Sequence, residues 1–500
     1  MKIRIVIFPI VFLCLVLTLR AEEAAIFPIP EKEPLCDLYD LYIGNRPVPV
    51  YQCRISAVPF NQVWPGYQRP IDQTEIAGFA YWEMDTDVAV RIVCKAKVQK
   101  VDIHPKVLKI EPQIQDKTIS FSLKDHTPVV VEINGTRQPL HLFPAEKRKE
   151  LADKSKQGLR YFGPGVHHPG KIVLKTGESV YIDAGAVVYG NIYAKDACDI
   201  KISGRGILDN SKAVRKARFR EDSPTGTEDG CIHMYDCRNV SIDGIILRDS
   251  DHWTCSLFNC ENISIYNLKL IGQWRYNSDG IDLANCRNAL IENCFVRTFD
   301  DCLCVKGFKT HTDFAVEKIL FRNCVLLCDW GCAIKMGGET SAPSFTNVAF
   351  ENINIIRTSG TAISIPMHDR ARISDIRFEN FRINIDSDQQ RPALQKNRED
   401  HYIPQDVKGS PYCPTLLQIA IKQNFYSKDK ELGQLRNVLF RNIQVYTKLQ
   451  PKSFFEGADA DHDVQGIRIE NLRFNDDPPV SDAKQMNLKV GNFVSDLKFQ

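Results

Sequence analysis

The chain has 500 residues, 43% of them hydrophobic, and a formal net charge of +2. That length exceeds one ordinary domain and is enough to bury a large core. The near-neutral balance excludes a general nucleic-acid role.

Lys2 and Arg4 precede an apolar run from Ile5 to Leu19, followed by Ala21, Glu22, Glu23 and Ala24. The run is short for a membrane span and reads as an export signal over residues 1–24, with an uncleaved anchor as the alternative. No later segment is apolar enough to cross a bilayer. The mature chain is therefore expected to be secreted or periplasmic, monomeric, without a membrane span and without a nucleic-acid partner.

Residues 25–155 carry short alternating patterns, among them VAVRIVC (Val88–Cys94), ISFSL (Ile119–Leu123) and VVVEING (Val129–Gly135). Period-two alternation with polar turns predicts a small antiparallel β-sandwich domain. Such a domain serves either as a carbohydrate-binding module or as a cap on the open edge of a neighbouring sheet. AEKRKELADKSKQ (Ala145–Gln157) reads as a linker or short helix, and YFGPGVHHPG (Tyr161–Gly170) as a turn cluster.

From residue 156 to 500 a repeat takes over. CRNVSIDGI (Cys237–Ile245), CENISIYNL (Cys260–Leu268), CRNALIENC (Cys286–Cys294), FTNVAFENI (Phe345–Ile353) and LRNVLFRNI (Leu435–Ile443) share one frame. The markers Asn239, Asn262, Asn288, Lys318, Asn347 and Asp375 are spaced by 23, 26, 30, 29 and 28 residues. A short strand set per period of that length is a solenoid signature, and the strand propensities favour a right-handed parallel β-helix. The fold class is thus all-β, a right-handed parallel β-helix preceded by a small antiparallel β-sandwich. Asn210–Asp229 and Asp386–Gly433 break the period and read as inserted loops. Most of the seventeen cysteines fall inside the strand-like repeats. There they read as small buried side chains rather than disulfides, and Cys324, Cys328 and Cys332 lack the helix a zinc site would need.

YNSDGIDLANCRNALIENCFVRTFDDCLCVKG (Tyr276–Gly307) places Asp279, Asp282, Asp300 and Asp301 on two successive coils. Laid in register, Asp279, Asp301, Trp330 and Ser359 form a column with rungs about 4.8 Å apart. The same shift sets Asp300 over Asp329 and Lys306 over Lys335. An adjacent pair on a regular strand would send one acid into the core. Asp300 and Asp301 therefore belong at a bend, with Leu303 and Val305 inward and Cys302, Cys304 and Lys306 outward. Such a set suits general acid/base hydrolysis of a glycosidic bond. A solvated acidic edge and a calcium site are the alternatives. Asp282 reads as a turn or edge residue. Lys306 and Lys335 are either exposed lysines or holders of an acidic sugar, and Trp330 either stacks on a sugar or packs inward. His167, His168, His252 and His368 read as turn or rim residues.

NSDG (Asn277–Gly280) and DDCLCVK (Asp300–Lys306), with GRGILD (Gly204–Asp209) and HWT (His252–Thr254) upstream, resemble glycoside hydrolase family 28, the polygalacturonase group. The resemblance covers the solenoid from about Tyr161. It implies a right-handed parallel β-helix and an inverting, metal-free glycoside hydrolase with a carbohydrate substrate; no cofactor is expected, and the amino-terminal signal makes the enzyme an exported one. Carried over, Asp300 is the acid, and Asp279 and Asp301 are base and water holders. Asn277, Lys306, Trp330, Lys335 and Asp282 are substrate-binding candidates. An inverting site implies an acid–base gap of roughly 6.5–9.5 Å. The family's Gly-His-Gly stands here as DWG (Asp329–Gly331), so Trp330 replaces the histidine. Its Arg-x-Lys is missing near TAISIP (Thr361–Pro366), which leaves unsubstituted pectate a doubtful substrate. A β-helix polysaccharide lyase and a non-catalytic glycan-binding β-helix are the competing functions.

Overall fold

A computed structural model describes residues 24–57, 60–61, 71–148, 153–213, 230–309, 314–385, 393–394, 412–424 and 427–500. The export segment, apart from Ala24, and most of the two insertions lie outside the described residues.

Two five-stranded sheets face each other before residue 147. One runs Arg46–Val48, Tyr39–Ile43, Val88–Cys94, Thr118–Leu123, Gln113–Gln115; the other runs Tyr51–Ser56, Thr74–Met84, Leu140–Glu146, Val129–Ile133, Val101–His104. In Val88–Cys94 every second residue is buried, as the alternation requires. Trp82, Ile92, Ile119 and Leu142 meet in the core between the sheets. The sandwich is not wholly antiparallel, because Leu140–Glu146 runs parallel to Thr74–Met84. That strand also occupies the start of the expected linker.

The solenoid is one parallel sheet of 29 strands from Leu159 to Phe499, a parallel β-helix with three strands per coil. It begins earlier than the turn-rich composition of Tyr161–Gly170 implied. Gly165–Leu174 is a strand, with the irregularity confined to its pairing between His167 and Gly170. The segment after Ile385 also rejoins it, since Thr415–Ile421 stacks on Thr361–Met367.

Consecutive coils can be followed through Arg287–Glu292 on the first face, Phe295–Thr298 on the second and Leu303–Gly307 on the third. First-face strands alternate buried and exposed, whereas the other two faces are buried on both sides. The spacing of the repeat markers is the true register: Val240, Ile263, Ala289, Ile319, Val348 and Ile376 stack one on the next. The markers all hold positive φ, from 52° to 59°. Asn and Asp tolerate that conformation because their short polar side chains bond locally. Inside, Phe321, Phe350, Phe378 and Phe440 stack with centroids 4.8, 5.2 and 5.0 Å apart. The sixteen described cysteines form no disulfide and thirteen are buried, so they act as core side chains.

The sandwich does not cap the first coils. It lies along the second face, where Tyr51, Phe79 and Phe143 pack on Val187, Ile246, Phe295 and Leu327, down to Ile356. The outward side chains of that face are apolar and need cover, which a cap at one end would not give. Buried ion pairs reinforce the contact: Arg248 joins Glu33 at 2.6 Å and Asp209, and Arg205 joins Glu83 at 2.9 Å. With the second face covered, the third face and the bend leading into it are left for a groove.

Candidate active site

Phe299–Cys302 form the bend between the second-face strand Phe295–Thr298 and the third-face strand Leu303–Gly307. Both carboxylates of the pair sit there, as the cost of burying one in the core predicts. They are nonetheless 8% and 3% exposed, so they do not form an open, solvated edge. Asp279 occupies the same bend one coil earlier, its carbonyl accepting from Thr254 N and the next residue's N–H donating to Asp301 O.

Asp301 Oδ1 accepts the Cys332 N–H at 2.8 Å, and Oδ2 accepts Lys335 Nζ at 2.8 Å. Lys306 Nζ lies 3.0 Å from Asp279 Oδ2, 2.9 Å from Asp282 Oδ1 and 3.5 Å from the centre of the Trp253 ring. One oxygen from each of Asp279, Asp300 and Asp301 lies within 4.8 Å of the others. The closest oxygens therefore do not keep the wide gap expected of the acid and base. Asp279 Oδ1 is buried and has no hydrogen-bond partner.

Burial, and after it the charge of Asp301, push the Asp300 carboxyl up to about 7. Burial also works upward on Asp301, but Lys335 and then Lys306 outweigh it and hold the group below the usual carboxylate value. Two neighbouring carboxyls are thus driven apart, one toward the acid form and one firmly ionised. Burial likewise raises Asp279 and Asp282, against the pull of Lys306. The grouped acids have metal-ligand spacing. The Lys306 ammonium already bridges Asp279 and Asp282, so a divalent cation there would have to displace it.

Several sequence expectations shift. Asp282 is no turn or edge residue; it is fully buried on the strand Ile281–Ala284. Lys306 is likewise no exposed lysine, at 3% side-chain exposure. The uniform 29-residue shift fails on the third face, where Cys304 stacks under Lys335 and Leu303 under Ile334. The coil shift is already 30 residues on the first and second faces, one further residue is added at the bend after Cys328, and an irregularity follows Val305. Lys306 consequently is not beneath Lys335. Asp329 is not over Asp300 but accepts two bonds from Arg297, at 3.1 and 3.2 Å. Cys302 points inward, with Thr298 Oγ1 3.0 Å from its sulfur. Trp330 stands half-buried at the bend, its ring stacked on Phe299 at 5.6 Å. Asn277 is half-buried two residues before Asp279, with φ 60°. His252 is buried beside Asp251 rather than on the rim.

Three partners were missed. Trp253 lies in the HWT stretch, but nothing in the sequence shows it meeting Lys306. The Cys332 N–H is a main-chain donor and leaves no side-chain signal. Gly331 sits so close to Asp300 that a Cβ there would meet Asp300 Oδ1 at 2.8 Å.

The resemblance drawn from NSDG and DDCLCVK is borne out: residues 172–389 match the family model described as glycosyl hydrolases family 28. The chain is 25% identical over 202 residues to a "Probable polygalacturonase" of Vitis vinifera, covering 39% of this chain and 41% of that one. It is 25% identical over 215 residues to "Rhamnogalacturonase B" of Aspergillus niger, covering 42% and 36%. The chain thus spans well under two thirds of the length of these curated relatives. Among solved structures it is similar to Dex49A from Penicillium minioluteum, with a TM-score of 0.63, 13% identity and 96% of each chain covered. That likeness extends over the sandwich as well as the solenoid and concerns the fold alone.

Proposed function

With residues 172–389 matching glycosyl hydrolases family 28, we propose that this protein is an exported glycoside hydrolase. It cleaves a pectin-related or other plant or microbial glycan by single displacement with inversion. The observation that carries the reading is the adjacent pair Asp300 and Asp301, buried together and driven to opposite protonation states. Asp300 keeps a proton near neutral pH and gives it to the leaving glycosidic oxygen. Asp301 stays ionised under Lys335 and draws a proton from the attacking water. Asp279 supports that water through Oδ1, which is buried and otherwise unpartnered. Asp282 fixes Lys306, and Lys306 fixes Asp279. Asn277 and Trp330 border the sugar.

Both oxygens of Asp301 are engaged by Cys332 and Lys335. That disfavours it as a covalent nucleophile and favours a water beside the pair, despite the short spacing. A lyase would need a free basic side chain to take a proton, and Lys306 and Lys335 are both held by carboxylates.

We take residues 25–155 as the sandwich unit, 156–500 as the catalytic unit, residues 1–24 as the export signal, and the protein as a monomer. The test is incubation with a glycan panel, following new reducing ends and the first-formed anomer by NMR. Inversion is expected. Release of the retained anomer would overturn the single displacement, and an unsaturated product absorbing in the ultraviolet would overturn hydrolysis itself.

A further inference from the structure

We infer that the sugar seated against Asp279, Asp300 and Asp301 is uncharged, because the two described lysines that touch these acids are each already held by a carboxylate. The inference rests on the glycosidase reading and goes beyond it to substrate class. Lys306 is shared by Asp279 and Asp282, and Lys335 is bound to Asp301. At the neighbouring bend Arg275 is held by Asp249 at 3.2 Å and Asp251 at 2.8 Å. At the far end Lys309 and Arg370 share Asp429.

Four carboxyls face two ammonium groups at the cluster. Burial raises Asp279 and Asp282 as well as Asp300, yet both ammonium groups are bound within this set, which leaves no excess positive charge. A uronate placed there would add a negative charge beside Asp301 at close range, where water screens poorly. An uncharged sugar would meet no such repulsion. The groove floor agrees. Its outward column on the third face runs His233, Ser256, Asp282, Cys304, Lys335, Ser364 and Gln418. Beyond Lys335 the column offers a hydroxyl and an amide, which suit sugar hydroxyls. At the bend the half-buried Trp330 ring, stacked on Phe299, adds an apolar surface.

The experiment compares a galacturonan with its carboxyl-reduced form, together with a glycan array of uncharged and uronate polymers. Wild-type protein is assayed for reducing ends at pH 7, and Asp300→Asn protein for binding. Expected is at least about tenfold faster cleavage and tighter binding of uncharged glycans. Equal or better handling of uronates, or no binding to any uncharged glycan, overturns the inference. Uncharged glycans bound but never cleaved would instead leave it standing and remove the hydrolase reading. Wild-type binding at low temperature provides a second arm if the Asn variant fails to fold.

Discussion

Asp300 and Asp301 differ by one position in sequence, and their environments give them opposite tasks. Asp300→Asn keeps the shape and removes the proton, so turnover should fall by about 10²–10⁴-fold with the circular dichroism spectrum unchanged. The alkaline limb of the activity profile should lie near pH 7, where Asp300 loses its proton. Lys335 holds Asp301 down. Lys335→Met should therefore raise the Asp301 carboxyl and move the acid limb to higher pH, read from kcat/KM against pH. Stability follows the same group. Its folded value, about 7, lies above its ordinary value of 3.8. The contribution of Asp300 is therefore complete below about pH 4 and is lost as pH rises through 7. The melting temperature of Asp300→Asn should gain on wild type over that interval; a constant difference would show that Asp300 is not protonated in the fold. Gly331→Ala should press a methyl on Asp300 and lower kcat by roughly 10²-fold without unfolding the chain. The identity of these acids was legible from NSDG and DDC. Their partners were not, because Trp253 and the Cys332 N–H come from other coils.

At the scale of the coil, stability comes from stacking like on like. Phe350 lies between Phe321 and Phe378 with nearly parallel rings. Phe350→Ala should cost about 3–5 kcal/mol in urea unfolding, since rigid neighbours on both sides limit collapse of the cavity. A loss below 1 kcal/mol would show that the stack relaxes freely. The coil lengths were readable on the first face because αL residues, Asn or Asp at every marker but Lys318, set its turns. No such marker governs the bend between the second and third faces. A one-residue expansion at the bend after Cys328 was therefore invisible, and the alignment slipped where the site is built.

For the whole molecule, the decisive contact is the sandwich on the solenoid flank. Arg248 is buried between Asp209 of the solenoid and Glu33 of the amino-terminal segment. Arg248→Met leaves two buried carboxylates without their cation and should cost about 3–5 kcal/mol, measured by denaturant unfolding. The sandwich and solenoid should also melt together, because Phe143 and Phe295 share one apolar interface, with ring centroids 5.0 Å apart. Two separate transitions would contradict this coupling.

By itself the sequence determined the β-helix, its first-face register, the strands of the sandwich and the four acids. Each rests on local physics: alternation, αL turn residues and the cost of a carboxylate pair in a strand. Tertiary structure alone decided which flank the sandwich covers, which rung Lys335 stands on and which cations are consumed. Those depend on side chains from coils about thirty residues apart, whose spacing varies at bends that carry no residue signature.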